Sequence, residues 1–197
     1  MAEGTALKGY SDGEDKITNL VAIGTVPDGN IGTLTYTWHE DTKDEIVGNA
    51  AQLNIADKAY GNYYADVKHE LNNSTPTNAN MKDDGLIVII RPHPVTPNAN
   101  NLEIQYDEIT ETYVCVESSG MDDLQYRWTF SDFESEKEIA ITGKFDTTNS
   151  IAKKDLEKLV GEIGPDDILK VEVRQVRFEN ETIFSKSTAV TVPYKFE

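Results

Sequence analysis

Leu34-Thr35-Tyr36-Thr37-Trp38 is the stretch on which the reading of this chain turns. Side chains alternate across a strand, so Leu34, Tyr36 and Trp38 share one face and the two threonines share the other. That is the pattern of a half-buried strand, and β-branched Thr suits its outer side. The same spacing returns 90 residues later as Leu124-Gln125-Tyr126-Arg127-Trp128. In both places a short apolar strand precedes the Trp strand. A variable polar stretch, a long strand and a Val/Ile-rich strand follow it. Residues 86–90 run into Arg91-Pro92, and residues 189–192 run into Pro193. With matched flanks, two copies of one β module account for the chain better than a single domain.

Outward from the first Trp strand, Val21 and Ile23 alternate and predict a short strand, followed by turn chemistry at Pro27-Asp28-Gly29-Asn30. Gln52-Leu53-Asn54-Ile55 and Tyr63-Tyr64-Ala65-Asp66-Val67 predict two more strands. Residues 72–80 are loop-like in composition, and Leu86-Ile87-Val88-Ile89-Ile90 is a continuous β-branched strand. Pro92, Pro94 and Pro97 then fall within six residues, which neither continues a sheet nor starts a helix. Beyond them residues 102–106, 113–116, 124–130, 169–178 and 189–192 read as strands. Residues 152–160 break the pattern with apolar side chains at 156, 159 and 160, which predicts one short helix stopped by Gly161. The expected division is a flexible N-terminal arm (1–16), a β-sandwich (17–92), a Pro/Asn-rich linker (93–101) and a second β-sandwich (102–197). The expected core comprises Trp38, Trp128, Tyr36, Tyr126, Tyr63, Leu53, Ile55, Val171 and Val173.

Among the 197 residues, 18 Lys and Arg stand against 35 Asp and Glu, a net charge of −17. Such a field repels phosphate backbones and anionic lipid surfaces, so neither a nucleic-acid nor a membrane partner is expected. A 38% hydrophobic content is too high for a wholly disordered chain. The longest apolar run, 86–90, is far shorter than a membrane span. Met1-Ala2-Glu3-Gly4-Thr5 has neither a basic nor an apolar region, so no signal peptide is expected. Cys115 is the sole cysteine and has no internal mate; synthesis in a reducing compartment is the simplest reading.

Chemistry-bearing motifs are sparse. His39, His69 and His93 have no second ligand at the close spacing of zinc sites. No nucleophile elbow, phosphate-cradling glycine loop or His-Glu metal motif occurs, so no enzyme and no cofactor are expected. Acidic pairs recur at Asp83-Asp84, Asp122-Asp123 and Asp166-Asp167. Calcium takes several loop oxygens, which makes Asp83 or Asp84 with Asp122, Asp123, Asp166 or Asp167 candidate ligands at a joint between modules, Asp83, Asp84, Asp122 and Asp123 foremost; solvated turn carboxylates are the alternative. Asn73-Ser74-Thr75 and Asn180-Glu181-Thr182 match glycosylation acceptors, incidental without a secretory signal. Tyr10, Tyr60, Tyr63, Tyr64 and Tyr106 are candidates for a sugar-stacking platform, with Tyr60 and Tyr64 facing away from Tyr63.

These residues resemble immunoglobulin-like β-sandwich modules, in which a Trp on the third strand is buried between two sheets. Trp38 and Trp128 match that position. Gly61-Asn62-Tyr63-Tyr64-Ala65 matches the family's Gly-x-Tyr-x-Cys strand except that Ala65 replaces the Cys. Asp167-Ile168-Leu169-Lys170-Val171 occupies the equivalent place in the second half, so the inter-sheet disulfide is missing from both. Disulfide-free tandem modules with this acidity resemble the Hoc-type outer capsid decoration proteins of tailed phages, over roughly residues 17 to 195. That resemblance implies a virion protein, made in the host cytoplasm, that sits on the capsid surface and binds the major capsid protein. Contact with the host cell surface is a further implied role. The distinct capsid-binding domain that usually ends such chains does not follow Pro193, which leaves attachment to the N-terminal arm or the first module's loops. Bacterial surface adhesins, glycan-binding modules and phage tail subunits carry similar modules.

Overall fold

The computed structural model describes residues 6–24, 32–58, 60–70, 77–80, 82, 86–178 and 185–196. The chain divides into two compact units, Met1–His93 and Pro94–Glu197.

Unit 1 contains β1 (Leu7–Tyr10), β2 (Asn19–Val21), β3 (Thr33–Glu40), β4 (Glu45–Gly48), β5 (Gln52–Asn54), β6 (Gly61–Glu70), β7 (Thr77–Asn80) and β8 (Val88–Arg91). Its large sheet has the order β1-β8-β6-β3-β4, with β7 also on β6, and its small sheet is β2-β5. Trp38, Tyr63, Ala65, Val88 and Ile90 from the large sheet meet Leu20 and Leu53 from the small one and Ala22 and Ile55 just after its strands; Tyr36 packs half-buried against them. Trp38 lies opposite Ala65 in the register.

Unit 2 contains β9 (Leu102–Asp107), β10 (Thr112–Glu117), β11 (Leu124–Asp132), β12 (Lys137–Ala140), β13 (Ser150–Ala152), α1 (Lys153–Val160), β14 (Ile168–Gln175) and β15 (Val190–Lys195). The sheet β13-β10-β9 and the sheet β12-β11-β14-β15 enclose a core of Leu102, Ile104, Tyr113 and Cys115 from one side and Tyr126, Trp128, Phe130, Leu169, Val171 and Val173 from the other. Trp128 lies opposite Val171. The fold is therefore all-β: two immunoglobulin-like sandwiches in series, without disulfides, and one short helix in the second.

Five local readings are corrected, the first being that residues 77–80, within the stretch read as a loop, form β7 against β6. Residues 7–10, counted with the flexible arm, form β1, paired in parallel with β8. Main-chain bonds rather than apolar side chains hold it: Leu7 N–H to Ile87 O at 2.9 Å and Ser11 N–H to Arg91 O at 2.9 Å. Gly9 permits a close approach, since a Cβ there would lie 2.1 Å from Ile17 Cδ1. The Pro/Asn-rich segment, read as a linker, is built onto unit 2 from Pro94 onward. Val95 N–H donates to buried Gln175 Oε1 at 2.9 Å, and a 3₁₀ turn at Ala99–Asn101 is capped by Asn98. In β2 the inward residue is Leu20, opposite Leu53, so Val21 and Ile23 face outward. Helix α1 ends at Gly161 (φ +86°) as expected, but Leu156 and Val160 face the core while Leu159 is exposed.

Candidate functional site

The repeated tryptophans are built into the fold in the same way. Trp38 Nε1–H donates to Ala50 O at 2.9 Å, and Trp128 Nε1–H donates to Thr148 O at 3.1 Å. Each carbonyl lies two residues before the next inward strand, β5 or β13, so each indole ties that connection to the core while its ring fills the space between sheets. Tyr126, Tyr63, Val171 and Val173 are buried beside them. These are core positions of the two sandwiches.

The acidic pair Asp122-Asp123 holds a cation from the protein itself. Arg177 Nη1 donates to Asp122 Oδ1 at 2.7 Å and to Asp123 Oδ2 at 2.8 Å, with only 4% of the arginine side chain exposed. Gln175 Nε2 donates to Asp122 O at 3.1 Å and to its Oδ1 at 3.2 Å. A guanidinium thus faces both carboxylates within unit 2. Asp167 is buried and closes turns instead: Oδ1 accepts from Phe133 N–H at 2.9 Å and Oδ2 from Gly164 N–H at 2.7 Å. Asp83, Asp84, Asn73 and Asn180 lie outside the described residues. Among the described residues no group of three or more His, Cys, Asp or Glu is placed to hold a metal.

Two histidines are bound into local contacts. His39 stacks on Tyr64 (4.7 Å, 7°) and its Nε2 lies 3.0 Å from Asp66 Oδ2. His93 stacks on Tyr10 (3.7 Å, 17°), with Nδ1 2.8 Å from Asp12 Oδ1 and Nε2 3.3 Å from Asp15 Oδ1. The third, His69, sits against Gly32, and its buried Nε2 has no hydrogen-bond partner among the described residues. The register separates His39 from His69, which pair with Tyr64 and Leu34 respectively.

Among the described residues, the tyrosines of unit 1 do not assemble one platform. Tyr63 is buried in the core, and Tyr64, though on the opposite face as alternation requires, is covered by His39 and Lys82. Tyr10 is covered by His93, and Arg91 stands over Tyr60 at 5.6 Å. Tyr106 is in unit 2, beside Tyr113.

Residues missed in the sequence include Glu40, which is 2% exposed. Both of its carboxylate oxygens accept from the Thr42 hydroxyl, at 2.7 and 2.9 Å, and Oε1 accepts from Asn62 N–H at 3.0 Å. The signal was present: Glu40 continues the inward face of Tyr36 and Trp38. Arg177 gave none, because its partners are more than 50 residues away.

No protein-family model and no curated protein sequence matches the chain. Among solved structures, the fibronectin(III)-like modules of Clostridium thermocellum CbhA align with 98% of this chain and 90% of theirs, at 10% identity and a TM-score of 0.30. The fold assignment rests on the strand order and core described above.

Proposed function

We propose that this chain is a non-enzymatic virion protein that decorates the outer capsid surface of a tailed phage. One unit attaches to the major capsid protein and the other projects. The observation that carries the reading is the pair of disulfide-free immunoglobulin-like sandwiches in one strongly acidic chain, the combination in which the sequence resembles Hoc-type proteins. Stability in each unit comes from packing around one Trp, as suits a protein made in a reducing cytoplasm. A net charge of −17 keeps like-coated particles apart through mutual repulsion.

The test is peptide mass spectrometry on purified particles and on cells of the source organism. The chain is expected in phage heads at many copies, and is expected to be removable with the capsid intact. Its absence from particles together with its presence on cells rejects decoration.

A further inference from the structure

A cavity of about 830 Å³ opens in unit 2 beside α1 and the turn that follows it, at the ends of β9 and β15 and the start of β10. That size falls within the range of small-molecule sites. Four aromatic rings wall it. Tyr113 is the centre: Tyr106 lies 4.8 Å from it at 39°, Tyr194 5.4 Å at 61° and Phe196 5.5 Å at 84°. Tyr194 and Phe196 are themselves 5.4 Å apart at 81°. The rings pack against one another, mostly edge to face, as one cluster, and the cavity opens along the side of that cluster.

The charge around this pocket is one-sided. Glu108, Glu157 and Glu162 line it with a single lysine, Lys153, whose Nζ lies 3.8 Å from Glu157. Aromatic faces are the negative side of the ring quadrupole, so rings and carboxylates attract the same kind of guest. Elsewhere the protein satisfies ring faces with its own cations, with Lys82 over Tyr64 and both Arg127 and Arg174 over Phe145. Over the four rings of the cavity no described cation stands. A second observation is independent of charge. Tyr113 lines the cavity, is only 5% exposed, and its hydroxyl has no hydrogen-bond partner among the described residues. Burial pushes that hydroxyl up to about 12, with Tyr194, Tyr106 and Glu157 adding to the effect, so it stays protonated and able to donate.

We propose that this cavity binds a quaternary ammonium group of the choline type. The methylated cation lies against the ring faces, the glutamates balance its charge, and the Tyr113 hydroxyl meets the guest's hydroxyl. A methylated head fits better than a bare ammonium, because its surface is apolar and needs no hydrogen-bond acceptors of its own. The site does not depend on where the chain is found, so its test is separate from that of capsid decoration.

The experiment titrates choline chloride into the full chain, against matched sodium chloride, and follows the ring protons of Tyr106, Tyr113, Tyr194 and Phe196 by NMR. Two controls accompany it: 3,3-dimethylbutanol, the uncharged isostere of choline, and cellobiose. Saturable shifts with choline are expected, with the isostere about tenfold weaker, the factor that a cation–π and charge contribution of this kind supplies. The double variant Glu157→Gln/Glu162→Gln changes two exposed side chains and is expected to fold as the parent and bind choline about tenfold more weakly. Equal binding of choline and its isostere overturns the proposal in favour of a merely apolar pocket. Saturation by cellobiose in place of choline overturns it in favour of a sugar site, and no saturable shift with choline overturns it outright.

Discussion

In unit 2 three strands face four; in unit 1 a pair of three-residue strands, β2 and β5, faces the six strands of the large sheet. The difference arises in the first strand. β9 joins the smaller sheet of unit 2 by pairing with β10, whereas β1 joins the larger sheet of unit 1 by pairing with β8. The side of unit 1 opposite its Trp is correspondingly thin. The contrast is sharpest one pleat beyond each Trp, where unit 2 has Phe130, in the core and against Phe196, and unit 1 has Glu40. Their partners across the strand pair are Leu169 and Tyr63. One position in the same fold is thus filled by a hydrophobe or by a hydrogen-bonded charge, and only the first adds apolar burial to the core. Unit 1 also buries Asn62 Oδ1, Asp66 Oδ1 and His69 Nε2 without described partners, each costing about 1–3 kcal/mol if it stays unpaired. From these differences unit 1 is expected to be the weaker unit and the first to unfold.

Exchanging the two residues tests this most severely. Phe130→Glu places a carboxylate where no Thr42 or Asn62 stands to receive it, and is expected to cost about 5 kcal/mol or more. Cys115 reports the result. Burial pushes its thiol up to about 12, with Glu117 adding to the effect, so it is unreactive while unit 2 is folded and is expected to label rapidly in the variant. The reverse change, Glu40→Phe, adds ring volume and takes the acceptor from Asn62 N–H and the Thr42 hydroxyl, and is expected to cost unit 1 about 1–3 kcal/mol, less than the exchange in unit 2. Slow Cys115 labelling in Phe130→Glu would show that the two positions tolerate charge alike.

Next in size are the tryptophans. Trp38→Ala and Trp128→Ala each remove a buried ring and its N–H bond, at a cost of about 3–5 kcal/mol. The same loss is expected to have unequal outcomes. Domains of this size have only about 5–15 kcal/mol in hand, so unit 1 is expected to lose its unfolding transition and unit 2 to keep a lowered one. The fluorescence of the remaining Trp follows the untouched unit. An unchanged melting profile in Trp38→Ala would mean that its ring is not the keystone of unit 1.

The division of labour between sequence and structure follows from what each residue signals. Leu34-x-Tyr36-x-Trp38 and Leu124-x-Tyr126-x-Trp128 exposed the repeat because burial between sheets enforces a period of two. The β3–β6 and β11–β14 registers bring Ala65 and Val171 to the same place opposite their Trp. β1 was illegible because main-chain hydrogen bonds hold it, and these leave no side-chain pattern. The Arg177 clasp on Asp122 and Asp123, and the walls of the cavity around Tyr113, assemble from strands far apart in sequence. No spacing rule reaches that far.

Acid should separate the units by a smaller margin. Burial alone raises the Glu40 carboxyl. The Thr42 hydroxyl, the Asn62 and Thr42 backbone N–H groups and nearby Lys43 outweigh it and hold the group below the usual glutamate value. A carboxyl lowered by folding contributes stability above its unfolded value, and that contribution is lost as pH falls through the folded value. Unit 1's denaturation midpoint, followed by Trp38 in a Trp128→Phe background, is therefore expected to drop between neutral pH and the acid range. Glu40→Gln is expected to cost about 1–2 kcal/mol at neutral pH and to remove this part of the acid dependence. A midpoint with the same pH profile in parent and variant would remove Glu40 from the account of why the units differ.

The smallest effect concerns the strand that the two units use differently. Asp12 Oδ1 accepts from His93 N–H at 2.7 Å and lies 2.8 Å from its Nδ1, fastening the end of β1 to the end of β8's strand. Half of this carboxylate is exposed, so water competes for every bond that it makes. Asp12→Ala is expected to cost less than about 1 kcal/mol overall. Its effect should be local: faster amide hydrogen exchange at Ser11 and Ile17, whose N–H groups bond to Arg91 O and Tyr10 O, with the β3–β6 amides unchanged. The first strand of unit 2, β9, pairs antiparallel with β10, and its amides should not respond. If exchange accelerates instead throughout β3 and β6, β1 is part of the cooperative core of unit 1. The thinness of the small sheet would then be compensated from the opposite edge, and the stability gap between the units would be smaller than their cores imply.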